Sequence, residues 1–586
     1  MAFIQLKKNP IGAIRSGRSV QFRLTDISVE DVALMYKKDG ETSVGYLPMN
    51  CVGNSFFAEL FFDAPGLYFY AFFSPRRGYL QFFDNAVIGF ADVECWLQQT
   101  VYDKDYAEAE PFEGGIAYQI FPDRFAISGK VKHLTDRVYH ENLSEMPIWW
   151  PDKNGEVRNN DFYGGNLQGI IEKLPYLSDL NVDLIYLNPI FLSASNHRYD
   201  TSDYMRIDPQ LGTEEDFVRL CDEAASFGMR IILDGVFSHT GSDSVYFNRY
   251  GHFDSVGAYQ SKDSPYYSWY RFSEWPNRYG SWWGFHTLPE VEEMDPSYVE
   301  FITGKNGVID YWMSLGASGF RLDVADELPD EFIEKIRIAI RRRNPKGLLI
   351  GEVWEDASNK VSYGVRRKYF LGKELDGTMN YPFRTAVLSY ISQGDAGAFA
   401  RSVESIVRNY PEEMLATCLN LLTSHDTPRA ITVLADSFAS SRSKEEAARR
   451  VLSREDYLRG VEMLKLAFAV DFFLPGIPMI YYGDEIGMQG YGDPFCRYFF
   501  SWDRIDTNLL ECVKKLSDLR RKGRDILKKG RTEFFHAADS VIGFWRKGEN
   551  GKIAFLLNRS EKDFTYIFDN GKVVRLKPWS YEVVFM

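Results

Sequence analysis

Cysteine is scarce and unpatterned. Cys51, Cys95, Cys221, Cys418, Cys496 and Cys512 are scattered over 586 residues with no CxxC pair. That excludes a disulfide framework and a zinc site of the usual spacing, so no metal is expected from cysteine and the thiols should be reduced and mostly buried. The N-terminal MAFIQLKKNP lacks the apolar stretch of a secretory signal, so the expected address is the cytoplasm. Clean apolar runs are missing as well. The nearest, LAFAVDFFLPGIPMIYYG (466–483), is interrupted by Asp471, Pro475, Gly476 and Pro478. A membrane helix needs ~18–20 apolar residues, so this segment reads as a buried helix followed by a buried strand. Positive charge is in deficit: 68 Lys and Arg against 82 Asp and Glu give −14, which argues against a nucleic-acid partner. Internal repeats and low-complexity tracts are also missing.

Aromatic residues are plentiful. At 16% of the chain, they supply large cores, and they also offer flat faces on which the apolar side of a sugar ring can stack.

Residues 1–105 contain short aromatic and β-branched runs (VQFRL, SFFAELFF, LYFYAFF, LQFFD) between Gly, Pro, Asn and Asp breaks. This predicts an N-terminal β-sandwich. The polar VYDKDYAEAEPFEGG (101–115) reads as a linker. The region 106–505 then alternates apolar strands with longer helices. The candidate strands are IAYQIF (116–121), DLIYLNP (183–189), RIILDGVF (230–237), GFRLDVA (319–325), LLIGEVW (348–354), LDGTMNY (375–381), LNLLTSHD (419–426) and PMIYYGDE (478–485). Eight strands with intervening helices predict an α/β fold, a (β/α)8 TIM barrel. Its largest insertion, about 240–295, follows the third strand and carries SPYYSWYRFSEWPNRYGSWWGFH. Residues 506–586 begin helically and continue as strands joined by GENG and FDNG turns, predicting a C-terminal antiparallel β-domain.

In a TIM barrel the chemistry sits at the C-terminal ends of the strands. There this chain places Asp234 and His239, Arg321 and Asp323, Glu352, and His425 and Asp426. Any one strand-end Asp is more simply a helix cap. Four strands delivering carboxylates, imidazoles and a guanidinium to one rim suit glycoside cleavage. That reaction needs a carboxylate beneath the anomeric carbon and a carboxylic acid at the leaving oxygen. Arg321 lies two residues before Asp323, on the same face of the strand, where its charge should keep Asp323 ionised. Glu352 must instead hold a proton near neutrality. His239 and His425 are placed to bind hydroxyls, and Asp426 to grip the 2- and 3-hydroxyls as charge develops.

DGVFSHTG (234–241), GFRLDVADE (319–327), GEVWEDA (351–357) and LLTSHDTPR (421–429) resemble, in order, the four signature regions of the α-amylase family of glycoside hydrolases. The resemblance implies Asp323 as nucleophile, Glu352 as general acid/base and Asp426 as transition-state stabiliser, with Arg321, His239 and His425 around the sugar. NHRYDTSDY (196–204) resembles the family's second-loop segment, which adds His197 and Tyr199 at the cleavage subsite. VYDKDY (101–106) with AYQIFPDRFA (117–126) is most similar to the neopullulanase, cyclomaltodextrinase and maltogenic amylase group. That likeness implies a starch-binding-like N-terminal domain and a homodimer formed through it, with a cleft narrowed towards small or cyclic substrates. The implied activity is retaining hydrolysis of α-1,4-glucosidic bonds, with α-1,6 cleavage and transglycosylation alongside it, in maltooligosaccharides, cyclodextrins, pullulan or starch.

Some residues depart from the group's pattern. LPEVE (288–292) stands where MPKLN is usual, and Glu355 stands where a His is common. Relatives carry an Asn/Asp-rich calcium loop closed by GGD. Here the loop is ISGKVKHL and the closure is Gly164, Gly165 and Asn166. Calcium requires ~6–8 oxygen ligands, so no cofactor is expected at this loop, and Lys130 or Lys132 could supply charge in its place. Trp354 either borders the acceptor subsite or packs the rim. Trp282, Trp283 and Phe285 either wall the cleft or pack the insertion. Asp484, Glu485 and Arg429 read as structural, and His133, His140, His252, His286 and His536 show no partner pattern. Two other function classes compete. One is an α-1,6-glucosidase of short oligosaccharides. The other is a non-catalytic glucan-binding protein, which an intact set of three carboxylates argues against.

Overall fold

Each of the eight apolar segments forms a parallel strand in the computed structural model. They are β1 (Ala117–Ile120), β2 (Leu184–Leu187), β3 (Arg230–Gly235), β4 (Gly319–Leu322), β5 (Leu348–Gly351), β6 (Gly377–Thr378), β7 (Leu419–Leu421) and β8 (Ile477–Tyr481). The structure describes residues 5–586 apart from 26, 28, 30, 84, 85, 110, 111, 154 and 156. Sheet order is β6-β5-β4-β3-β2-β1-β8-β7. Between β6 and β7 the ring closes on a single bridge, Met379 to Leu419, with the Asn380 N–H donating to Leu419 O at 2.8 Å. Helices cover the outside of such a barrel, so its strands are buried on both faces and read as near-continuous apolar runs.

Alternation within the strands still matters, because every second residue points into the barrel. Ala117, Leu184, Tyr186, Ile232, Leu348, Ile350, Leu419, Leu421, Ile477 and Met479 share one buried interior cluster. Continuing the same parity towards the C-terminal ends reaches Gln119, Asn188, Asp234, Arg321, Asp323 and Glu352. The apolar plug at the bottom of the barrel thus turns polar at its top.

Local rules account for the helices. Glu214–Ser226 starts at Thr213, whose hydroxyl and the Asp216 carboxylate form a capping box, and it buries Phe217, Leu220, Cys221 and Ala224 at helical spacing. The interrupted apolar run is a helix, Arg454–Asp471, followed by β8. Among the described residues no helix is long and apolar enough to cross a membrane. All six cysteines are free.

The N-terminal region forms two sheets whose inner faces share one core. Val20, Phe22, Leu24, Phe56 and Leu60 come from one sheet, and Leu34, Tyr70, Phe72, Leu80 and Val101 from the other. The C-terminal region forms a four-stranded antiparallel sheet and a hairpin, Phe564–Ile567 with Val573–Leu576. Its turns fall at GENG and FDNG, as the sequence predicts.

The stretch 101–115 differs from its reading as a linker. It begins inside a strand, Leu97–Tyr102, and then straps the barrel. The Tyr106 hydroxyl donates to Asp376 at 3.1 Å, Arg337 and Arg341 donate to the carbonyl of Ala107, and Lys529 pairs with Glu108 at 2.7 Å. Glu110 and Pro111 of that stretch lie outside the described residues, as do residues 1–4 of the N-terminal segment. The polar side chains that suggested a solvated tether are the ones that fasten it. The sandwich also braces the barrel loop after β5. Gln98 donates to Ser358 Oγ and accepts from Asn359 Nδ2, both at 2.7 Å, and Arg366 pairs with Asp39 at 2.9 Å.

Candidate active site

Backbone hydrogen bonds beyond the ladders place the two central carboxylates. The Asp323 N–H donates to Gly235 O at 3.1 Å and the Glu352 N–H to Leu322 O at 3.0 Å, so each sits one step above its strand on neighbouring β4 and β5. Val324, next in sequence, has φ 38°, a left-handed conformation that is a real outlier for a β-branched residue. That conformation aims the Val324 N–H at Glu352 Oε2, 3.0 Å away, so strain at this position has a visible use.

Arg321 is fully buried and lies between the acids. Its Nη1 donates to Asp234 Oδ1 at 2.7 Å and to Asp323 Oδ1 at 2.8 Å. Its Nη2 lies 2.8 Å from Glu352 Oε2, at an angle that makes an ion pair rather than a hydrogen bond. One guanidinium therefore touches three carboxylates. Asp426, at the cleft opening with a third of its side chain exposed, pairs with Arg497 at 3.2 Å and lies 3.1 Å from His425 Nε2.

The expectation that Arg321 alone keeps Asp323 ionised needs correction. Arg321 does favour the charged form, but burial and then the like charges of Glu352, Asp234 and Asp426 outweigh it, and the Asp323 carboxyl is pushed well above the ordinary range. Asp426 is pushed up to about 7, by burial first and then by Glu352. Asp234 is also raised by burial. Two guanidinium groups, Arg321 and Arg497, thus face four carboxylates across the mouth.

The histidines sit in a hydrogen-bonded chain. The Gln119 amide faces His425 Nδ1 at 3.0 Å, which leaves Nε2–H to face the Tyr199 hydroxyl 2.5 Å away. Tyr199 in turn donates to Asp234 Oδ2 at 2.8 Å, beside Tyr186 at 2.6 Å. Burial holds His425 well below its usual value, with Arg497 and Arg321 adding to the effect. His239 falls to about 4, chiefly by burial, and its Nε2 donates to Tyr199 O at 3.1 Å. His197 accepts the Tyr199 N–H at Nδ1, 3.1 Å away, and burial lowers it too. All three are therefore neutral hydrogen-bonding groups near neutral pH.

Trp354 does more than pack the rim. It is 45% exposed, lies flat on Tyr381 with ring centroids 3.8 Å apart, and donates its indole N–H to Glu352 Oε1 at 3.2 Å. The insertion divides its aromatics: Tyr246, Phe247, Trp269 and Tyr270 are buried in the core, whereas Trp283 is 76% and Phe285 56% exposed. Glu355 pairs with Lys360. Asp484 pairs with Arg429 at 2.8 Å, and Glu485 accepts from Tyr118 and Tyr176; all are buried and structural. His140, which had no partner pattern in the sequence, bridges Glu145 and Asp161.

The structure thus brings Asp323, Glu352, Asp426, Asp234, Arg321, His197, Tyr199, His239, His425 and Trp354 to one mouth. Sequence reasoning missed Gln119, Tyr186, Asn188, Tyr381 and Arg497. Inward parity of the strands would have found the first three. Arg497 comes from a loop after β8 and carried no signal.

At the loop where relatives carry calcium, the protein's own hydrogen bonds occupy the closing side chain. Asn166 Oδ1 accepts from the amides of Gly169 at 2.7 Å and Ser128 at 3.3 Å, and its Nδ2 donates to Ser128 O at 2.8 Å. Its oxygen is already used by the protein. Among the described residues no three His, Cys, Asp or Glu side chains gather to hold a metal. Lys130 and Lys132 are exposed. Two buried arginines pair nearby, Arg124 with Asp123 at 2.8 Å and Arg137 with Asp208 at 2.6 Å. Gly165 is required at the closing turn, since a Cβ there would come within 2.2 Å of Pro122 O.

Comparison with known proteins agrees with this geometry. Residues 119–549 match the family described as "Alpha amylase, catalytic domain". The chain is 34% identical to an amylopullulanase of Thermoanaerobacterium saccharolyticum, over 97% of this chain and 49% of that protein. It is 34% identical to neopullulanase 2 of Thermoactinomyces vulgaris, over 76% and 70%. The type III pullulan hydrolase from Thermococcus kodakarensis superposes with a TM-score of 0.72 at 25% identity, covering 99% of this chain and all of that one. The chain spans about half the length, or less, of the amylopullulanases it matches.

Proposed function

This chain belongs to the α-amylase family, and from that premise we propose that it is a retaining α-glucan hydrolase. The observation that carries the reading is Arg321, whose two terminal nitrogens hold Asp323 and Glu352 on adjacent strands. A retaining glycosidase needs its two carboxyl groups about 5–5.5 Å apart, and sharing one guanidinium keeps them close.

In the first step an Asp323 oxygen bonds to the anomeric carbon as the glycosidic C–O bond breaks, and Glu352 passes its proton to the departing oxygen. In the second step Glu352 takes a proton from water, whose oxygen displaces Asp323 with net retention. Asp426 accepts hydrogen bonds from sugar hydroxyls, which strengthen as positive charge grows at the anomeric carbon. His197, His239, His425 and Tyr199 bind the sugar on that side, Asp234 anchors Arg321 and Tyr199, and Trp354 stacks beneath the acceptor. Transglycosylation follows wherever a second sugar reaches the covalent intermediate before water.

Pullulan, cyclodextrins and maltooligosaccharides are the substrates we infer, cut at α-1,4 and also α-1,6 bonds. The support is the names of the relatives: the three given above are all called for pullulan, and others are called cyclomaltodextrinases. We infer no calcium at the loop closed by Asn166, a reducing cytoplasmic address in keeping with six free thiols, and a homodimer through the N-terminal sandwich. Exposed Val52, Phe61 and Tyr46 on that domain support the last.

The test incubates wild type and Asp323→Asn separately with pullulan, β-cyclodextrin and maltotriose, with the anomeric form followed by NMR. Release of the α-anomer by wild type and none by the mutant is expected. An active Asp323→Asn enzyme, or release of the β-anomer, refutes the mechanism.

A further inference from the structure

Two large aromatic side chains at the mouth share an unusual set of properties. Trp283 and Tyr363 have φ of 48° and 49°, and they are 76% and 77% exposed. Bulky residues avoid this left-handed region, so holding one there carries a conformational cost. Neither ring recovers that cost by burial. Both instead donate to the same atom, Glu327 Oε1: the Trp283 indole at 2.9 Å and the Tyr363 hydroxyl at 3.2 Å.

The three residues come from three different loops of the active-site rim. Glu327 ends the turn directly after Asp323. Tyr363 tips a hairpin, Val361–Ser362 with Val365–Arg366, in the loop after Glu352. Trp283 belongs to the insertion after β3, and its neighbour Trp282 links it back to the site: the rings of Trp282 and Trp283 lie 5.5 Å apart, as do those of Trp282 and His239. The hairpin is held from two sides. Ser362 Oγ donates to Asp326 O at 2.9 Å, and Arg366 pairs with Asp39 of the sandwich.

We propose that Trp283 and Tyr363, pinned by Glu327, form an accessory subsite that binds a glucose ring of the glucan some way along the chain from the bond being cut. This rests on the α-glucan reading above. The occupant follows from the chemistry on the rim. Exposed aromatic faces take the apolar face of a pyranose. Ring contacts through Trp282 connect Trp283 to His239 at the site, which puts the pair beside the cleft a glucan chain would occupy. The backbone strain fixes the rings in advance and spares the ordering cost on binding.

Calorimetric binding of maltoheptaose and maltotriose to the full-length Asp323→Asn protein tests this without turnover. Trp283→Ala and Tyr363→Ala should each weaken maltoheptaose about tenfold and maltotriose less than twofold. Glu327→Ala should reproduce the loss, and Glu327→Gln, which keeps an acceptor oxygen, should restore it. If the alanine variants weaken both sugars equally, or neither, the subsite is refuted. If neither sugar binds the unaltered protein and wild type hydrolyses neither, the functional reading itself fails and takes this inference with it.

Discussion

Arg321 decides the electrostatics of the mouth because among the described residues it is the one cation in contact with Asp234, Asp323 and Glu352 together. Replacing it with methionine keeps much of the volume and removes the charge. The expected result is a fall in kcat/KM of about 10²–10³, read by steady-state kinetics on maltotriose. Asp426 makes a second prediction, on stability. Its folded carboxyl sits at about 7, above its ordinary value of 3.8. A group raised on folding contributes stability that is present below its unfolded value and lost as pH rises through the folded one. Asp426→Asn should therefore abolish turnover yet melt higher than wild type at pH 8, with the difference vanishing towards pH 4 in calorimetry. Most residues of this site were legible in the sequence, because the family's motifs sit where the strands end. The protonation pattern was not. Arg321 beside Asp323 reads as a simple pair until the fold adds three more carboxylates and removes the water.

Elements were read well where periodicity was strong and poorly where polar side chains had hidden partners. All eight barrel strands lie inside their predicted segments or overlap them, because a fully buried apolar run between Gly and Asp breaks has few other readings. The strap over 101–115 was misread because its acidic and tyrosine side chains suggest solvent, while their partners, Asp376, Arg337 and Lys529, lie hundreds of residues away. The C-terminal domain is riveted to the barrel in a related manner. Arg520 is buried with no carboxylate in hydrogen-bond reach and donates to the carbonyls of Gly115, Phe472 and Gly476. Burial, with Arg546 adding to it, lowers this guanidinium to about 9. Arg520→Met should leave three buried carbonyls unpaired and cost on the order of 3 kcal/mol. Thermal unfolding would show the loss, while activity well below Tm stays close to wild type because the mouth lies at the other end of the strands.

At the scale of the whole molecule, the protein-made clasp at Asn166 predicts indifference to chelation. Tm with excess EDTA should equal Tm with millimolar calcium, and a clear rise with calcium would show a site elsewhere. The oligomeric state is a separate matter. Sedimentation at micromolar concentration should give a dimer that Phe61→Asp disrupts. Fold class was plain from the order of elements, whereas assembly was not, since single exposed apolar residues have many explanations. The barrel has one weakly sewn seam. β6 is two residues long and its ladder to β7 is the one bridge of Met379 to Leu419, with side chains adding to it: Thr417 Oγ1 donates to Asp376 O, and Asn380 Nδ2 to Asn420 Oδ1 at 3.0 Å. A rolled sheet whose backbone ladder thins to one bridge has a preferred place to open. When it unrolls there, β7 swings to the far edge, taking Asp426 and His425 with it, while Asp323 and Glu352 stay together on β4 and β5. Mild urea should then extinguish activity before far-UV dichroism changes, and simultaneous loss of the two would show that the seam is no weaker than the rest.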